Sequence, residues 1–343
     1  MSTITHQRIP SLELGRIIAI LAVITIHSQL FVDYPLYKDT PWLGDLINQL
    51  SRFAVPYFFL LTGYFLQPKL NQDPVGTALS YIKPIAVVWL VWSAIYLLMP
   101  FNLMTVTTEG YVAERSMYWD YLALTPLNSL LEGGLVHLWY LPALAMGVGI
   151  IAIIIKTHLQ KLLLPFAILL FVYGVLAGSY FNVTDIPSLF YTRNGPFFSL
   201  LMITLGFEVR RLNITINSGK AATILIAGMV MHFIEVYCLL NWDVAFRIHD
   251  YLFATPIWAL GFFFFLLANP TLGDKKWVPP IANLTLGIYV SHLLFIIYLS
   301  NLAGFLGFDM WKRDLLVWSG TIVISTLFVY FITKTPLRKV LLR

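Results

Sequence analysis

The sequence predicts an all-α polytopic membrane protein with about ten transmembrane helices. Of its 343 residues, 59% are hydrophobic and 11% are charged, and the mean hydropathy is +0.78. Water-soluble globular proteins do not have this composition. Apolar runs of about twenty residues recur along the whole chain, and a helix of that length crosses a hydrocarbon core of roughly 30 Å.

Ten apolar segments are expected to form one span each, and the first is expected to be a mature helix, because no small-residue cleavage site follows it. The second, third and fourth spans contain Pro56, Pro84 and Pro142, and the sixth is short. Proline frees backbone groups that neighbouring helices must satisfy, so these spans are expected to face protein or a cavity. The segments cover residues 15–33, 50–67, 82–100, 138–156, 162–179, 197–210, 221–240, 251–268, 281–300 and 314–333.

The distribution of Lys and Arg predicts the orientation of the chain. With ten spans both termini lie on one side, and the segments on that side carry 14 basic residues against 6 in the opposite loops. Basic residues are enriched on the cytoplasmic side, so both termini are expected to be cytoplasmic. The net charge of +5 is explained by this asymmetry, and no basic stripe interleaved with aromatic residues indicates a nucleic-acid partner.

The chain is expected to form a single membrane domain over residues 1–343. No low-complexity linker interrupts the spans, the longest loop runs from about 101 to 137, and no clear internal repeat is present. Cys238 is the one cysteine of the sequence, which excludes an internal disulfide and a cysteine-based metal site. No metal site is expected.

Two ionisable residues in the first apolar segment require an explanation. Arg16 and His27 are eleven positions apart, which is about 20° past three helical turns and a rise of about 16 Å. They therefore share one helix face at different depths. Arg16 is expected near the inner surface, where Glu13 can pair with it. His27 is expected in the outer part, facing an interior or a watery cavity. The structural alternatives are an arginine that snorkels to the interface and a histidine bound by a neighbouring helix.

The other polar residues fall at two depths and predict two polar centres. The outer centre contains His27, Arg52 and His137, with Glu235 and His292 as candidate supporting members. The inner centre places Arg16 with basic loop residues, namely Lys69, Arg210, Arg211, Lys275 and Lys276. No Walker A loop, GxSxG elbow, HExxH or CxxC motif is present. Interfacial anchoring for Arg52 and helix pairing for Glu235 are the alternatives.

Four stretches, in this order, resemble the acyltransferase 3 family of integral membrane acyltransferases, and the resemblance covers nearly the whole chain. In size the chain looks most like the enterobacterial common antigen O-acetyltransferase branch. The stretches are LELGRIIAILAVITIH with Arg16 and His27, SRFAVPYFFLLTGYF around Arg52, HLWYLPAL at 137–144 and LGIYVSHLLF at 286–295.

The sequence departs from the family pattern at three places. The acid before the arginine is more often Asp than Glu13, the common Arg-Gly pair is Arg16-Ile17, and Thr62 stands where Ser is frequent. The extracytoplasmic hydrolase-like domain of longer relatives is missing from this sequence. The membrane part is therefore expected to handle the acceptor by itself.

The resemblance implies transfer of an acyl group, usually acetyl, from cytoplasmic acyl-CoA to a hydroxyl of a surface polysaccharide or lipid-linked glycan, in the bacterial inner membrane. Acyl-CoA is then a substrate, and no permanently bound cofactor is expected. His27 would act as general base, and Arg52 or His137 would stabilise the oxyanion. The donor phosphates would bind Arg16, Arg210 and Arg211, with Glu13, Glu235 and His292 in supporting roles.

Direct transfer is preferred to an acyl-enzyme, because no serine or cysteine accompanies His27 convincingly as a nucleophile; a transient acyl-histidine stays open. Two other classes of protein also stay open. A proton-coupled transporter or lipid-linked sugar flippase would use His27, Glu235 and His292 as a proton relay. A non-catalytic membrane scaffold would tolerate substitution of His27.

Overall fold

The computed structural model describes residues 8–38 and 40–342, and this part of the chain is helical with no β-strand beyond one isolated bridge. Arg343, one of the basic residues counted above, lies outside the described residues. Three short 3-10 turns, Val136–Trp139, Thr192–Asn194 and Leu240–Trp242, join helices. The helices are α1 (Pro10–Ser28), α2 (Trp42–Leu50), α3 (Ala54–Gln72), α4 (Pro74–Leu98), α5 (Leu103–Glu109), α6 (Tyr111–Leu124), α7 (Pro126–Glu132), α8 (Tyr140–Lys156), α9 (Gln160–Leu176), α10 (Phe181–Thr184), α11 (Pro196–Arg211), α12 (Ser218–Leu239), α13 (Thr255–Ala268), α14 (Val278–Ala282), α15 (Thr285–Phe305), α16 (Met310–Ile332) and α17 (Arg338–Leu341).

The lengths and hydropathies of these helices make the chain a multi-pass membrane protein. Six helical segments are long and apolar enough to cross a bilayer, and two more, α9 and α13, are apolar but shorter. Each of the ten predicted segments contains a helix, with α3 and α11 completing the set. The number of ten spans and the orientation of the termini stay predictions. The six segments are Pro10–Ser28, Pro74–Leu98, Val136–Lys156, Ser218–Trp242, Thr285–Phe305 and Met310–Ile332.

Two boundaries differ from the sequence prediction for local reasons. The first helix ends at Ser28 rather than near residue 33, because Gln29 adopts the left-handed conformation that terminates helices. His27 therefore lies in the last turn. The third predicted span begins eight residues early, at Pro74, where the side chain of Asp73 accepts the free backbone N–H of Gly76 and caps the helix.

The expected loop from 101 to 137 contains three helices, α5, α6 and α7, which the apolar-run criterion could not detect. They are held to the end of α4 by Arg115, which is fully buried, donates to the carbonyl of Met99 and stacks on Phe101 at 4.2 Å. Glu114 accepts hydrogen bonds from the backbone of Phe101 and Asn102. This loop is therefore a folded cap on one end of the bundle.

Helix α1 lies inside the bundle, where it packs against α3, α13, α15 and α16. The closest crossing is that of α3 with α11, where a Cβ at Gly63 or Gly206 would collide with a carbonyl oxygen of the other helix. Small residues permit such close approach between membrane helices. This packing fixes α3 beside α1 and positions the two polar regions described below.

Candidate functional site

Three histidines from distant parts of the chain meet at the end of α1. His27 lies in the last turn of α1, His137 in the 3-10 turn before α8, and His292 in α15. The ring centroid of His292 lies 5.1 Å from that of His27 and 5.1 Å from that of His137, and the His27 and His137 centroids are 6.3 Å apart. His137 and His292 are fully buried, whereas His27 keeps part of its surface exposed. We call these three residues the histidine cluster.

Backbone carbonyls fix the tautomers of the two buried histidines. His292 Nδ1 lies 2.6 Å from the carbonyl oxygen of Tyr289, and His137 Nε2 lies 3.3 Å from that of Val290. A carbonyl only accepts, so in the neutral ring each of these nitrogens carries the proton and the other presents a lone pair. The lone-pair nitrogens, His292 Nε2 and His137 Nδ1, are buried without a hydrogen-bond partner.

The unpaired nitrogens, together with the grouping of three rings, make the histidine cluster a candidate functional site. A buried polar atom without a partner costs about 1–3 kcal/mol, and native structures contain few of them. Here two such atoms belong to one group of three rings. The described part of the chain also provides no hydrogen bond to either ring nitrogen of His27, the one residue of the three that is not fully buried. No three His, Cys, Asp or Glu side chains of the described chain are grouped as a metal site requires.

Arg52 belongs to a separate network at the start of α3. Its guanidinium donates to Asn48 Oδ1 at 3.1 Å and to the carbonyl oxygen of Arg247 at 2.5 Å, and lies 3.5 Å from Asp250 Oδ1. These contacts hold the C-terminal end of α2 to the segment that precedes α13. The sequence placed Arg52 with His27 by depth, and no direct contact joins the two side chains in the described structure.

Arg193, just before α11, completes this network. It lies 2.7 Å from Asp250 and 2.8 Å from Glu132, and its own side chain is 17% exposed. Burial raises the pKa of the Asp250 carboxyl, but Arg193 and Arg52 lower it more, so the pKa lies below its usual value. Burial likewise lowers the pKa of Arg193, and its two carboxylate partners more than offset this. These ion pairs connect four chain segments, which contain Arg52, Glu132, Arg193 and Asp250.

Glu235 is not a member of the outer centre, which corrects the sequence prediction. Its carboxylate accepts hydrogen bonds from the backbone N–H groups of Phe253 and Ala254 and from the hydroxyl of Tyr180, at 2.8–2.9 Å. These backbone groups lie at the start of α13, where a carboxylate satisfies free N–H groups. Glu235 therefore has the helix-pairing role given above as its alternative, because α12 and α13 pack together.

Arg16 lines a cavity of about 680 Å³ between α1, α3, α4, α8, α15 and α16. Its guanidinium donates to Thr285 Oγ1 at 2.9 Å. Arg16 also lines a second cavity of about 440 Å³, which contains Arg8 and Lys69. Glu13 pairs with Arg8 at 2.7 Å rather than with Arg16, so the expected i,i+3 pair is wrong. The Arg16 guanidinium thus stands where two cavities meet.

An aromatic wall separates the larger cavity from the histidine cluster. Tyr140 and Tyr289 line the cavity, and their ring centroids are 5.2 Å apart. The ring of Tyr289 lies 5.7 Å from that of His137 and 5.9 Å from that of His292, and its hydroxyl donates to the carbonyl oxygen of His137. The cavity that begins at Arg16 therefore ends one ring away from the histidines.

Arg210 and Arg211 lie outside both cavities that Arg16 lines, which corrects their grouping with it. Arg210 donates to the hydroxyl of Tyr64 at 3.1 Å and lines a different cavity of about 190 Å³. Arg211 forms an exposed i,i+3 ion pair with Glu208. Depth alone placed these residues with Arg16, and depth does not specify on which side of the bundle a helix ends.

The larger cavity is also lined by Arg338 and Asn283, which no sequence pattern indicated as site residues. Arg338 was counted only as a topological charge, and its guanidinium has no ion-pair or hydrogen-bond partner in the described structure. It reaches the cavity because α17 folds back on α4, where Trp92 Nε1 donates to the carbonyl oxygen of Leu341 at 2.9 Å. No sequence pattern indicated this return of the chain.

The described structure therefore combines, within a membrane bundle, a cluster of three histidines and a cavity lined by Arg16 and Arg338. Residues 9–334 match the family model of the acyltransferase 3 domain, described as an acyltransferase domain, and the chain belongs to this family. The family match supports a membrane acyltransferase.

Two curated relatives from enterococci also match. The chain is 27% identical over 323 residues to a protein of Enterococcus faecalis named amino-acid racemase, covering 88% of this chain and 43% of that protein. It is 27% identical over 295 residues to a serine/alanine racemase of Enterococcus gallinarum, covering 81% and 39% respectively. The chain thus spans less than half the length of these relatives. No solved structure matches it.

Proposed function

We propose that the protein is an O-acyltransferase of the bacterial inner membrane that moves an acyl group, most simply acetyl, from cytoplasmic acyl-CoA to a hydroxyl of a surface or lipid-linked carbohydrate. The observation that carries the proposal is the histidine cluster at one end of α1 together with the Arg16 cavity toward its other end. His27 and Arg16 are separated by about 16 Å of helix. This separation matches a donor with phosphates at one end and a thioester at the other.

The donor is proposed to bind at Arg16 through its phosphates, because a guanidinium makes paired, charge-assisted bonds to phosphate oxygens. Lys69 in the smaller cavity and Arg338 in the larger one add positive charge on both sides of Arg16, whereas the charge of Arg8 is paired with that of Glu13. The larger cavity is mainly apolar and accepts the flexible arm. The thioester would reach His27 after the rings of Tyr140 and Tyr289 turn aside.

His27 is proposed to take the proton of the acceptor hydroxyl while its oxygen attacks the thioester carbonyl. The C–S bond then breaks, and the thiolate leaves as CoA and receives the proton from the imidazolium. A general base of this kind contributes typically ~10² to 10⁴ in rate. The last turn of a helix favours a positive charge by about 0.3–1 kcal/mol, so the dipole of α1 makes a modest favourable contribution to the imidazolium.

Oxyanion stabilisation is proposed for His137 or Arg52. The N–H of His137 is bound to the carbonyl of Val290, and the guanidinium of Arg52 is bound to Asn48 and Arg247. The neutral ring of His137 has one N–H and must therefore exchange this hydrogen bond when substrate is present, whereas the guanidinium of Arg52 has five N–H groups and can donate without losing one. One correctly placed donor contributes on the order of 3 kcal/mol to the transition state.

The proposed orientation has ten spans, cytoplasmic termini and the α5–α7 cap outside. Cysteine labelling in a Cys238→Ser background tests it, because Cys238 is itself exposed. Val112 and Lys275 are suitable positions, since both are exposed. A cysteine at 112 is expected to react from outside and one at 275 from inside. The reverse pattern would exchange the two ends of the site.

A second candidate is a proton-coupled transporter or lipid-linked sugar flippase, which the buried histidine cluster also favours as a proton relay. The sequence also offered Glu235 as a member of this relay, but its carboxylate is bound to the start of α13. The relay would therefore consist of His27, His137 and His292. The racemase names of the relatives belong to proteins of which this chain matches less than half. They are not transferred to this chain.

Mass spectrometry of surface and lipid-linked glycans from cells with and without the gene tests the proposal. The gene is expected to add the mass of an acyl ester, and the purified protein in nanodiscs is expected to release CoA from acetyl-CoA when a glycolipid extract of the deletion strain is supplied. Substrate movement without CoA release would favour the transporter. A His27→Ala variant that keeps full function would favour a scaffold.

A further inference from the structure

The proposed chemistry assigns no task to His292, although this side chain is the centre of the histidine cluster. Its ring touches both other members, at 5.1 Å between centroids in each case. It is fully buried, and its Nε2 has no partner in the described structure. In the neutral ring Nε2 presents a lone pair, because Nδ1 carries the proton and donates it to the carbonyl of Tyr289.

We infer that His292 is the positioning residue of the proposed base: its Nε2 accepts a hydrogen bond from one ring nitrogen of His27, which leaves the other nitrogen of His27 unprotonated and free for the acceptor hydroxyl. The inference rests on the proposed function. In many active sites a third side chain hydrogen-bonds the general base and fixes its ring orientation and tautomer. The inference gives this role to the imidazole of His292.

The spacing of the rings is that of a hydrogen-bonded pair. Two imidazoles joined by an N–H···N bond of ordinary length, about 2.9 Å, have centroids about 5 Å apart, and the observed separation is 5.1 Å. The rings are inclined by 53°, and no bond is made in this conformation. Formation of this bond requires reorientation of the His27 ring, whose centroid already lies at the separation of a bonded pair.

His292 is better suited to this role than His137. The His137 centroid lies 6.3 Å from that of His27, about 1 Å beyond the separation of a hydrogen-bonded pair of imidazoles. The bond that fixes the tautomer is also shorter for His292, 2.6 Å against 3.3 Å. The ring of His292 is thus both nearer to His27 and more firmly held.

Two substitutions separate this role from a purely structural one, because Asn and Gln each imitate one nitrogen of histidine. His292→Gln places an amide near the position of Nε2, where its oxygen can accept the bond from His27, but it loses the bond to Tyr289. His292→Asn keeps an N–H near the position of Nδ1 for the carbonyl of Tyr289, but it has no acceptor at the position of Nε2. The two variants therefore retain opposite halves of the contacts.

The experiment measures CoA release from acetyl-CoA by purified variants in nanodiscs, with the glycolipid extract as acceptor, beside their affinity for acetyl-CoA. His292→Gln is expected within about tenfold of the wild-type kcat, and His292→Asn about 10²-fold below it, which is the cost of a misplaced catalytic group. Donor affinity is expected to be unchanged in both. Ser291→Ala, at a buried neighbour that bonds only within α15, is the control for repacking and is expected to keep wild-type kcat.

The reverse order, with Asn active and Gln inactive, would assign His292 the structural task of binding Tyr289 and overturn the inference. Equal activity of the two variants, high or low, would overturn it as well. A wild-type protein that binds acetyl-CoA but never releases CoA would remove the proposed function itself. That result concerns the proposed reaction, whereas the relative activities of the two variants concern the role of His292.

Discussion

Replacing Arg193 by Met is expected to destabilise the protein through the loss of two ionic contacts, one largely buried and one partly buried. Arg193 lies 2.7 Å from Asp250 and 2.8 Å from Glu132. The substitution keeps an unbranched apolar stem and removes the charged guanidinium, so both carboxylates lose their principal partner. Removal of one partner from a buried ion pair costs about 3–5 kcal/mol.

The lower end of that range applies here, for two reasons visible in the structure. The side chain of Asp250 is 36% exposed, so water solvates part of the orphaned charge, and Arg52 still lies 3.5 Å from its carboxylate. We expect a loss of about 3 kcal/mol, which lowers the thermal unfolding midpoint in detergent by about 6 °C at roughly 2 °C per kcal/mol.

Arg211→Met is the matched control, since it removes the same charge from an ion pair whose arginine is 45% exposed. An exposed pair contributes about 0–1 kcal/mol. Adding Glu132→Gln to Arg193→Met is expected to recover part of the loss, because it removes an uncompensated charge and leaves an amide able to bond. If the unfolding midpoint of Arg193→Met is no lower than that of Arg211→Met, the ion pairs of Arg193 do not stabilise the fold as expected.

Three further predictions concern the donor site and the response to acid. Arg16→Ala is expected to weaken acetyl-CoA binding by up to about 10²-fold. Arg16→Lys is expected to recover part of the loss, because lysine keeps the charge without the paired bonds. Equal affinity of the wild type and both variants, measured by titration in nanodiscs, would leave Arg16 as an interfacial anchor. Arg338→Ala is expected to weaken the same binding about tenfold, whereas Lys339→Ala, at an exposed neighbour of equal charge that does not line the cavity, is expected to have no effect. Burial and then Arg52 lower the pKa of His249 from 6.5 to about 4, so the folded state takes up fewer protons than the unfolded state between these values. Stability is therefore expected to fall as pH falls from 6.5 to about 4, and His249→Phe should flatten that part of the unfolding profile.

Much of the architecture could be predicted from the sequence because hydrocarbon imposes it. An apolar run long enough to cross a bilayer must satisfy its backbone internally, and a helix does so. Each of the ten predicted segments accordingly contains a helix. The cap of α5, α6 and α7 was missed because its helices are short and amphipathic, and the turn at Gln29 was missed because an αL residue leaves no mark in an apolar run.

The polar residues were less predictable, since depth along a helix specifies only one coordinate. It grouped His27, His137 and His292, whose rings do lie close together in the structure, although His292 is well inside α15 and not at its end. It failed for Glu235, which lies at a similar depth on the more peripheral α12, and for Arg210 and Arg211, which end a helix on another side of the cavity. Arg338 required the return of α17 to the bundle, which no periodicity or motif encodes.

The central claim is that His27 is the base of an acyl transfer, and its most direct test is turnover by His27→Ala and His27→Gln at matched membrane abundance. CoA release from acetyl-CoA and the acyl ester on the glycan are measured together, with acetyl-CoA affinity as the control for folding. Both variants are expected to bind the donor as the wild type does and to lose ~10² or more in rate, because neither side chain takes up a proton. Near-wild-type transfer by either variant would contradict the account.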